Sequence, residues 1–145
     1  ETNLDDMTPE LLGALIERTM EQGALDAWVT PATMKKGRPG HVFHVLASAD
    51  RLEPMAGLIL RESTALGVRY RSLNRLTLER EWITVTTSAG DVRVKVGRRD
   101  GEVYNVAPEF DDCARAARRA GVPLKLVMAE ASKLALIQLE APHAP

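Results

Sequence analysis

The chain has 145 residues, 45% of them hydrophobic but only 4% aromatic, with a formal net charge of −1 at pH 7. That length suits one domain or two small ones around an aliphatic core. The balanced charge excludes a global pull toward nucleic acid or an anionic membrane, so any anion site must come from local clustering.

A single cysteine, Cys113, excludes an internal disulfide framework and points to a reducing, cytoplasmic compartment. No apolar run approaches the ~20 residues that span a bilayer. The chain begins at Glu1 rather than methionine and shows no signal peptide, which reads as an excised piece of a longer protein.

In chain order, ETNLDDM reads as a short strand running into a loop. Thr8 then caps a helix with Pro9 at its first position. Leu12, Leu15, Ile16 and Met20 recur on one face, and Gly23 stops the helix. LDAWVTPA predicts a strand ending at Pro31, and HVFHVLASA a second. Asp50 and Glu53 resemble a capping box before a helix that turns Leu52, Met55, Leu58 and Ile59 inward and ends near Ser63. LGVRYRSL predicts a further strand, with Val68 and Tyr70 alternating against Arg69 and Arg71. The order β-α-β-β-α-β over 1–75 is that of a ferredoxin-like split unit.

From 76 to 107 the pattern changes to three strands, LTLEREWITVTT, DVRVKVG and EVYNVAP. Ala89-Gly90 and Asp100-Gly101 mark the turns of a β-meander. From 108 to 145 it becomes a helical hairpin. Phe110, Cys113, Ala114 and Ala117 fall at helical spacing, Gly121 ends the first helix and Pro123 opens the second. Residues 141–145, APHAP, read as a frayed tail. The expected fold class is therefore α+β, one compact domain in three parts.

MKKGRPG lies between two predicted strands and so forms a loop. Gly37 and Gly40 permit close approach or positive φ, and Pro39 stiffens the backbone. Arg38 is suited to forking onto two phosphate oxygens, with Lys35 or Lys36 as a point charge. The blander reading is a solvated basic turn, and the P-loop spacing is absent.

A second basic cluster holds Arg61, Arg69, Arg71 and Arg75, with Ser63 and Thr64 as hydroxyl donors. A third holds Arg93, Lys95, Arg98 and Arg99. Each alone suits a solvated face. Three such clusters on elements of one sheet are harder to dismiss together. Asp5 and Asp6, close to Glu1, are hard oxygen donors of the kind that hold Mg²⁺ or Mn²⁺ together with substrate phosphates.

Glu109, Asp111 and Asp112 suit the positive end of a helix. His41 and His44, three apart on a strand, point to opposite faces and are poorly placed to chelate together. Cys113 on an apolar helical face reads as core.

Four segments in order, ETNLDDMTPE, TPATMKKGRPG, RESTALGVR and NVAPEFDDC, resemble the C-terminal domain of the LarC nickel-insertase family, from Glu1 to about Leu134. The resemblance implies a cyclometallase of the lyase class. It inserts nickel into pyridinium-3,5-bisthiocarboxylic acid mononucleotide, making two Ni–S bonds and one Ni–C bond, in a reaction that depends on CTP and on a divalent metal. It also implies that this domain takes the CTP–metal complex and that Ni²⁺ is the substrate metal. The pincer-nucleotide precursor would be handled by an N-terminal domain absent here.

The residues expected at the nucleotide are Lys35, Lys36, Gly37, Arg38, Arg61, Arg69, Lys95 and Asn105. Asp5 and Asp6 are expected at Mn²⁺ or Mg²⁺. Thr2, Asn3 or Asn105 would read the base. A homo-oligomer is expected, with neither nucleic acid nor membrane as partner. The alternative is a PII-like nucleotide-binding regulatory or assembly domain without catalysis, a reading by fold-level analogy.

Overall fold

The computed structural model describes residues 1–140, so the predicted tail at 141–145 lies outside the described residues. The chain divides into two compact units, Glu1–Asn74 and Arg75–Pro145. Both are mixed helix and antiparallel sheet.

The first unit holds β1 (Thr2–Leu4), α1 (Pro9–Glu21), β2 (Asp26–Thr33), β3 (Pro39–Leu46) and α2 (Leu52–Glu62). Its sheet runs in the order β1-β3-β2, antiparallel throughout, with Thr2 opposite Phe43 and Trp28 opposite His44. Thr8 caps α1 as expected, its hydroxyl accepting from the Leu11 amide at 3.5 Å, and Pro9 opens the helix. β2 continues past Pro31 to Thr33. It can do so because it is an edge strand, where a missing N–H is tolerated.

The core of this unit gathers Leu4, Leu12, Leu15, Phe43 and Ile59. Thr19, fully buried, takes the inner position expected of Met20. Its hydroxyl donates to the Leu15 and Ile16 carbonyls at 3.0 and 2.8 Å, so its burial leaves no polar group unpaired.

Two expectations fail here. The Asp50–Glu53 capping box is not formed, because a short 3₁₀ turn over Ala49–Arg51 leads into α2 and Arg51 is the cap. The strand expected at LGVRYRSL is also absent. Its Arg69 exchanges main-chain bonds with Glu1, N to O at 2.9 Å and O to N at 2.8 Å, and the Thr2 hydroxyl donates to Gly67 O at 2.8 Å. β1 has only three residues, too short an edge for a longer ladder. The alternation of Arg69 and Arg71 instead reflects side chains reaching back across β1. The sheet thus holds three of the four strands expected of a split unit.

The second unit holds β4 (Glu79–Thr87), β5 (Gly90–Arg99), β6 (Glu102–Pro108), α3 (Phe110–Ala120) and α4 (Leu124–Glu140). Its sheet follows chain order, β4-β5-β6. Asp100 and Gly101 both have positive φ, 51° and 82°, as a tight hairpin turn demands. Val92, Val94 and Val96 alternate inward from β5. Val92 and Val94 pack with Val85, Cys113, Ala116, Val127, Ala131 and Ala135. Gly121 takes the left-handed conformation that ends α3. Cys113 is in this core, and burial, with the nearby Asp112 charge, pushes its thiol pKa up. Phe110, at helical spacing with Cys113, is nevertheless 58% exposed, while Ala116 is fully buried. Among the described residues no helix is long and apolar enough to cross a membrane.

Candidate functional site

The basic loop closes β2 onto β3. Thr33 pairs with Pro39, and the Met34 amide donates to Arg38 O at 2.7 Å. Between them Lys36 (φ 65°) and Gly37 (φ 69°) are both left-handed. Glycine adopts that conformation freely, and lysine does so at a cost. Lys35 and Lys36 are exposed and have no ion-pair partner among the described residues.

Gly40 has a different role. A β-carbon there would stand 2.8 Å from Leu4 O and 3.2 Å from the Asp5 α-carbon. The last glycine of the motif therefore lets β1 press against β3 and fixes where Asp5 emerges.

Arg38 does not project freely. Its Nη1 donates to Asp5 Oδ2 at 3.2 Å. Asp6, the neighbouring acid, accepts from the Thr64 hydroxyl. The expected phosphate ligand and the expected metal ligand thus meet across the start of the sheet, where sequence spacing gave no hint of it. Beside them, an open groove of about 510 Å³ is lined by Leu4, Asp5, Met7, Pro31, Pro39 and His41, among others.

The remaining odd-numbered residues along β1 continue the polar ribbon. Arg69 donates to Asn3 Oδ1 at 2.7 Å and to Glu1 Oε2 at 3.2 Å. Asn3 Nδ2 lies 3.3 Å from the Met34 sulfur. Arg71 is 3.7 Å from Glu1. His44 Nδ1 meets Glu1 Oε1 at 3.0 Å while its ring stacks on Trp28, 5.0 Å between centroids. His44 Nε2 is buried with no hydrogen-bond partner among the described residues. Desolvation pushes the Glu1 carboxyl pKa up, but hydrogen bonds from His44 and Arg69 outweigh it and leave it below its ordinary value.

Thr2 and Asn3 were candidates for reading a base. Thr2 is buried with its hydroxyl committed to Gly67, and both ends of the Asn3 amide are engaged. Arg61 is exposed at the end of α2.

The three basic clusters do not share one sheet, which corrects the expectation. Lys35, Lys36, Gly37, Arg38, Arg61 and Arg69 belong to the first unit, and Lys95 and Asn105 to the second. There the Lys95 ammonium sits over Trp82, 4.9 Å from the ring centroid, with the Arg93 guanidinium at 5.6 Å. Asn105 is exposed on β6 opposite Gly97. Arg93 is engaged elsewhere, through Nε to Asp112 Oδ2 at 2.7 Å and Nη2 to Oδ1 at 3.1 Å. Arg115 also donates to Asp112. Asp112 was read as a first-turn acid; it is also the buried anchor that joins α3 to β5. Nothing local announces that contact, since the partners are 19 residues apart.

The donor chemistry can be tested against a metal. Among the described residues no group of three or more His, Cys, Asp or Glu side chains could hold an ion. His41 and His44 fall on opposite faces of β3 by strand parity. A closed nickel or zinc site therefore does not fit. One or two carboxylates that share a hard cation with phosphates and water do fit.

A family model described as nickel insertion protein matches residues 1–128. A putative nickel insertion protein of Myxococcus xanthus is 56% identical over 131 residues, 90% of this chain and 34% of that protein. The pyridinium-3,5-bisthiocarboxylic acid mononucleotide nickel insertion protein of a Nocardioides species is 42% identical over 131 residues, 90% of this chain and 33% of its own. This chain thus spans about a third of the length of the curated relatives it matches.

Among solved structures, the chain is similar to LarC2, the C-terminal domain of a cyclometallase involved in the synthesis of the NPN cofactor of lactate racemase, in its apo form. The TM-score is 0.88 at 36% identity, over 92% of each chain. Protein MK0293 of Methanopyrus kandleri is similar with a TM-score of 0.62 at 30% identity, over 94% of this chain and 84% of that one.

Proposed function

The chain belongs to the nickel insertion protein family, and on that premise we propose that it binds CTP with Mn²⁺ or Mg²⁺ for an enzyme that inserts nickel into pyridinium-3,5-bisthiocarboxylic acid mononucleotide. The observation that carries this reading is the loop with two lysines that have no ion-pair partner among the described residues and an arginine facing Asp5 at 3.2 Å. Cations and a hard anion sit side by side, as a metal–triphosphate requires.

In this reading Arg38 grips two non-bridging oxygens with its planar fork. Lys35 and Lys36 add point charges, and Gly37 keeps the turn open. Asp5, with Asp6 beside it, holds the divalent ion directly or through water. Bound there, the ion would neutralise phosphate charge and orient the chain of phosphates. Arg61 and Arg69 are further cations of the same unit. Lys95, from the basic cluster on β5, and Asn105, an amide suited to reading a base, are proposed as further nucleotide contacts from the second unit.

Nickel is substrate, and the pincer precursor is assigned to the part of the longer protein outside this chain. The chain alone is therefore expected not to insert nickel, and turnover of precursor and Ni²⁺ by it would refute that assignment. The whole reading is tested by titrating CTP, ATP, GTP and UTP with and without Mn²⁺. Preference for CTP that needs the metal supports it. Preference for ATP favours a PII-like sensor, and no nucleotide binding favours an assembly role.

A further inference from the structure

We propose that the Asp5–Arg38 ion pair is a latch that couples the divalent ion and the polyphosphate, so that each binds more tightly in the presence of the other; this rests on the reading of the loop as a polyphosphate site. Each partner already occupies on the other the place that a ligand would take. Asp5 sits on the guanidinium where a phosphate oxygen would sit. Arg38 sits on the carboxylate where a cation would sit.

The backbone on both sides is braced. Gly40 packs against this backbone so closely that a β-carbon there would stand 2.8 Å from Leu4 O and 3.2 Å from the Asp5 α-carbon. Arg38 is closed into the hairpin by its 2.7 Å bond from the Met34 amide and is followed by Pro39. The side chains, in contrast, are open to solvent, 59% exposed for Arg38 and 29% for Asp5. Asp6, the neighbouring acid, is tied through Oδ1 to the Thr64 hydroxyl and makes no ion pair with Arg38. The pair is therefore a switch in its side chains and not in its backbone.

The consequences follow from charge. A polyphosphate arriving alone must pull Arg38 from Asp5 and then face a bare carboxylate. A cation arriving alone must displace Arg38 and leave it unpaired. The two together satisfy both groups. An exposed ion pair is worth at most about fivefold in an equilibrium. Repulsion between Asp5 and the polyphosphate adds to that, so the coupling is expected to be about tenfold, within the usual range for linked sites.

Inorganic tripolyphosphate is the probe, titrated calorimetrically into the chain with and without Mn²⁺. Asp5→Asn is expected to raise metal-free tripolyphosphate affinity about five- to tenfold and to shrink the gain from Mn²⁺ by a similar factor. The reciprocal variant Arg38→Gln is expected to raise affinity for Mn²⁺ alone, which keeps the test open if one variant folds poorly. Asp91→Asn, a surface acid of the second unit, controls for net charge and is expected to change neither value. If wild type binds CTP with Mn²⁺ but both Asp5→Asn and Arg38→Gln titrate as it does, the latch falls and the site stands. If wild type binds neither CTP nor tripolyphosphate with Mn²⁺, the polyphosphate reading falls and takes the latch with it.

Discussion

Arg93 on β5 holds the buried carboxylate of Asp112 on α3 through two side-chain N–H donors, at 2.7 and 3.1 Å, while its own amide reaches the same carboxylate at 3.3 Å. Hydrogen bonds from the Arg93 side chain, working against the cost of burial, lower the Asp112 pKa from the ordinary 3.8 to about 2. A carboxylate depressed in the folded state contributes stability that is fully present above its unfolded pKa and is lost as pH falls through the folded one. The second unit should therefore weaken as pH drops from about 4 toward 2. Asp112→Asn should remove roughly 1–2 kcal/mol at neutral pH, a figure reduced for the solvent exposure of Arg93. It should also flatten the acid limb. Thermal melts of both proteins across that pH range check this, and parallel acid limbs would count against it.

Gly40 and Gly37 lie in one motif but should respond differently to alanine. At Gly40 the new methyl meets backbone, 2.8 Å from Leu4 O, so β1 must shift. A cost of about 1–3 kcal/mol is expected, as for overpacking. At Gly37 nothing lies within 4 Å, and only the left-handed φ of 69° opposes the substitution. There the cost should be about 1–2 kcal/mol. Urea midpoints rank the two. Gly40→Ala should also weaken CTP binding through the displaced Asp5, and a Gly40→Ala protein as stable as wild type would contradict the close approach.

Local rules were legible in the sequence where local geometry decides. Thr8 with Pro9 announced α1, Asp100-Gly101 the β5–β6 turn, and Gly121 the end of α3. The three-strand meander followed from alternation and turn residues alone. What was not legible is what depends on distant partners. Arg69 looked like a strand residue because it alternates, yet its partners Glu1 and Asn3 are 68 and 66 residues away. Arg38 and Asp5 both have the chemistry of site residues, but at 33 positions apart nothing in the sequence marks them as each other's partner. Thr2 and Asn3 looked available because no sequence rule shows that a hydroxyl or amide is already taken. The division into two units separated basic clusters that sequence reading had placed on one sheet.

Self-association is proposed from α4. Its inner side, Val127, Ala131 and Ala135, is buried, yet Leu126, Leu136 and Ile137 are exposed on the same helix. A helix apolar on both sides calls for cover on both. Sedimentation at micromolar concentration should show a species larger than the monomer, and Leu136→Lys with Ile137→Glu should dissociate it. A clean monomer for the unmodified chain, with and without nucleotide, would overturn this.

The most direct test of the central claim is at Arg38. Loss of a charge-assisted hydrogen bond costs roughly 1.5–3 kcal/mol, about ten- to hundredfold in affinity. Calorimetric titration with CTP and Mn²⁺ should show Arg38→Ala weaker by that factor. Arg38→Lys should be intermediate, because it keeps the charge and loses the fork. CMP, lacking the outer phosphates, should bind wild type weakly and lose little in either variant. Melts without nucleotide should be unchanged, since Arg38 contributes only an exposed ion pair to the fold. If Arg38→Ala binds CTP as wild type does, the loop is a solvated turn and the account fails.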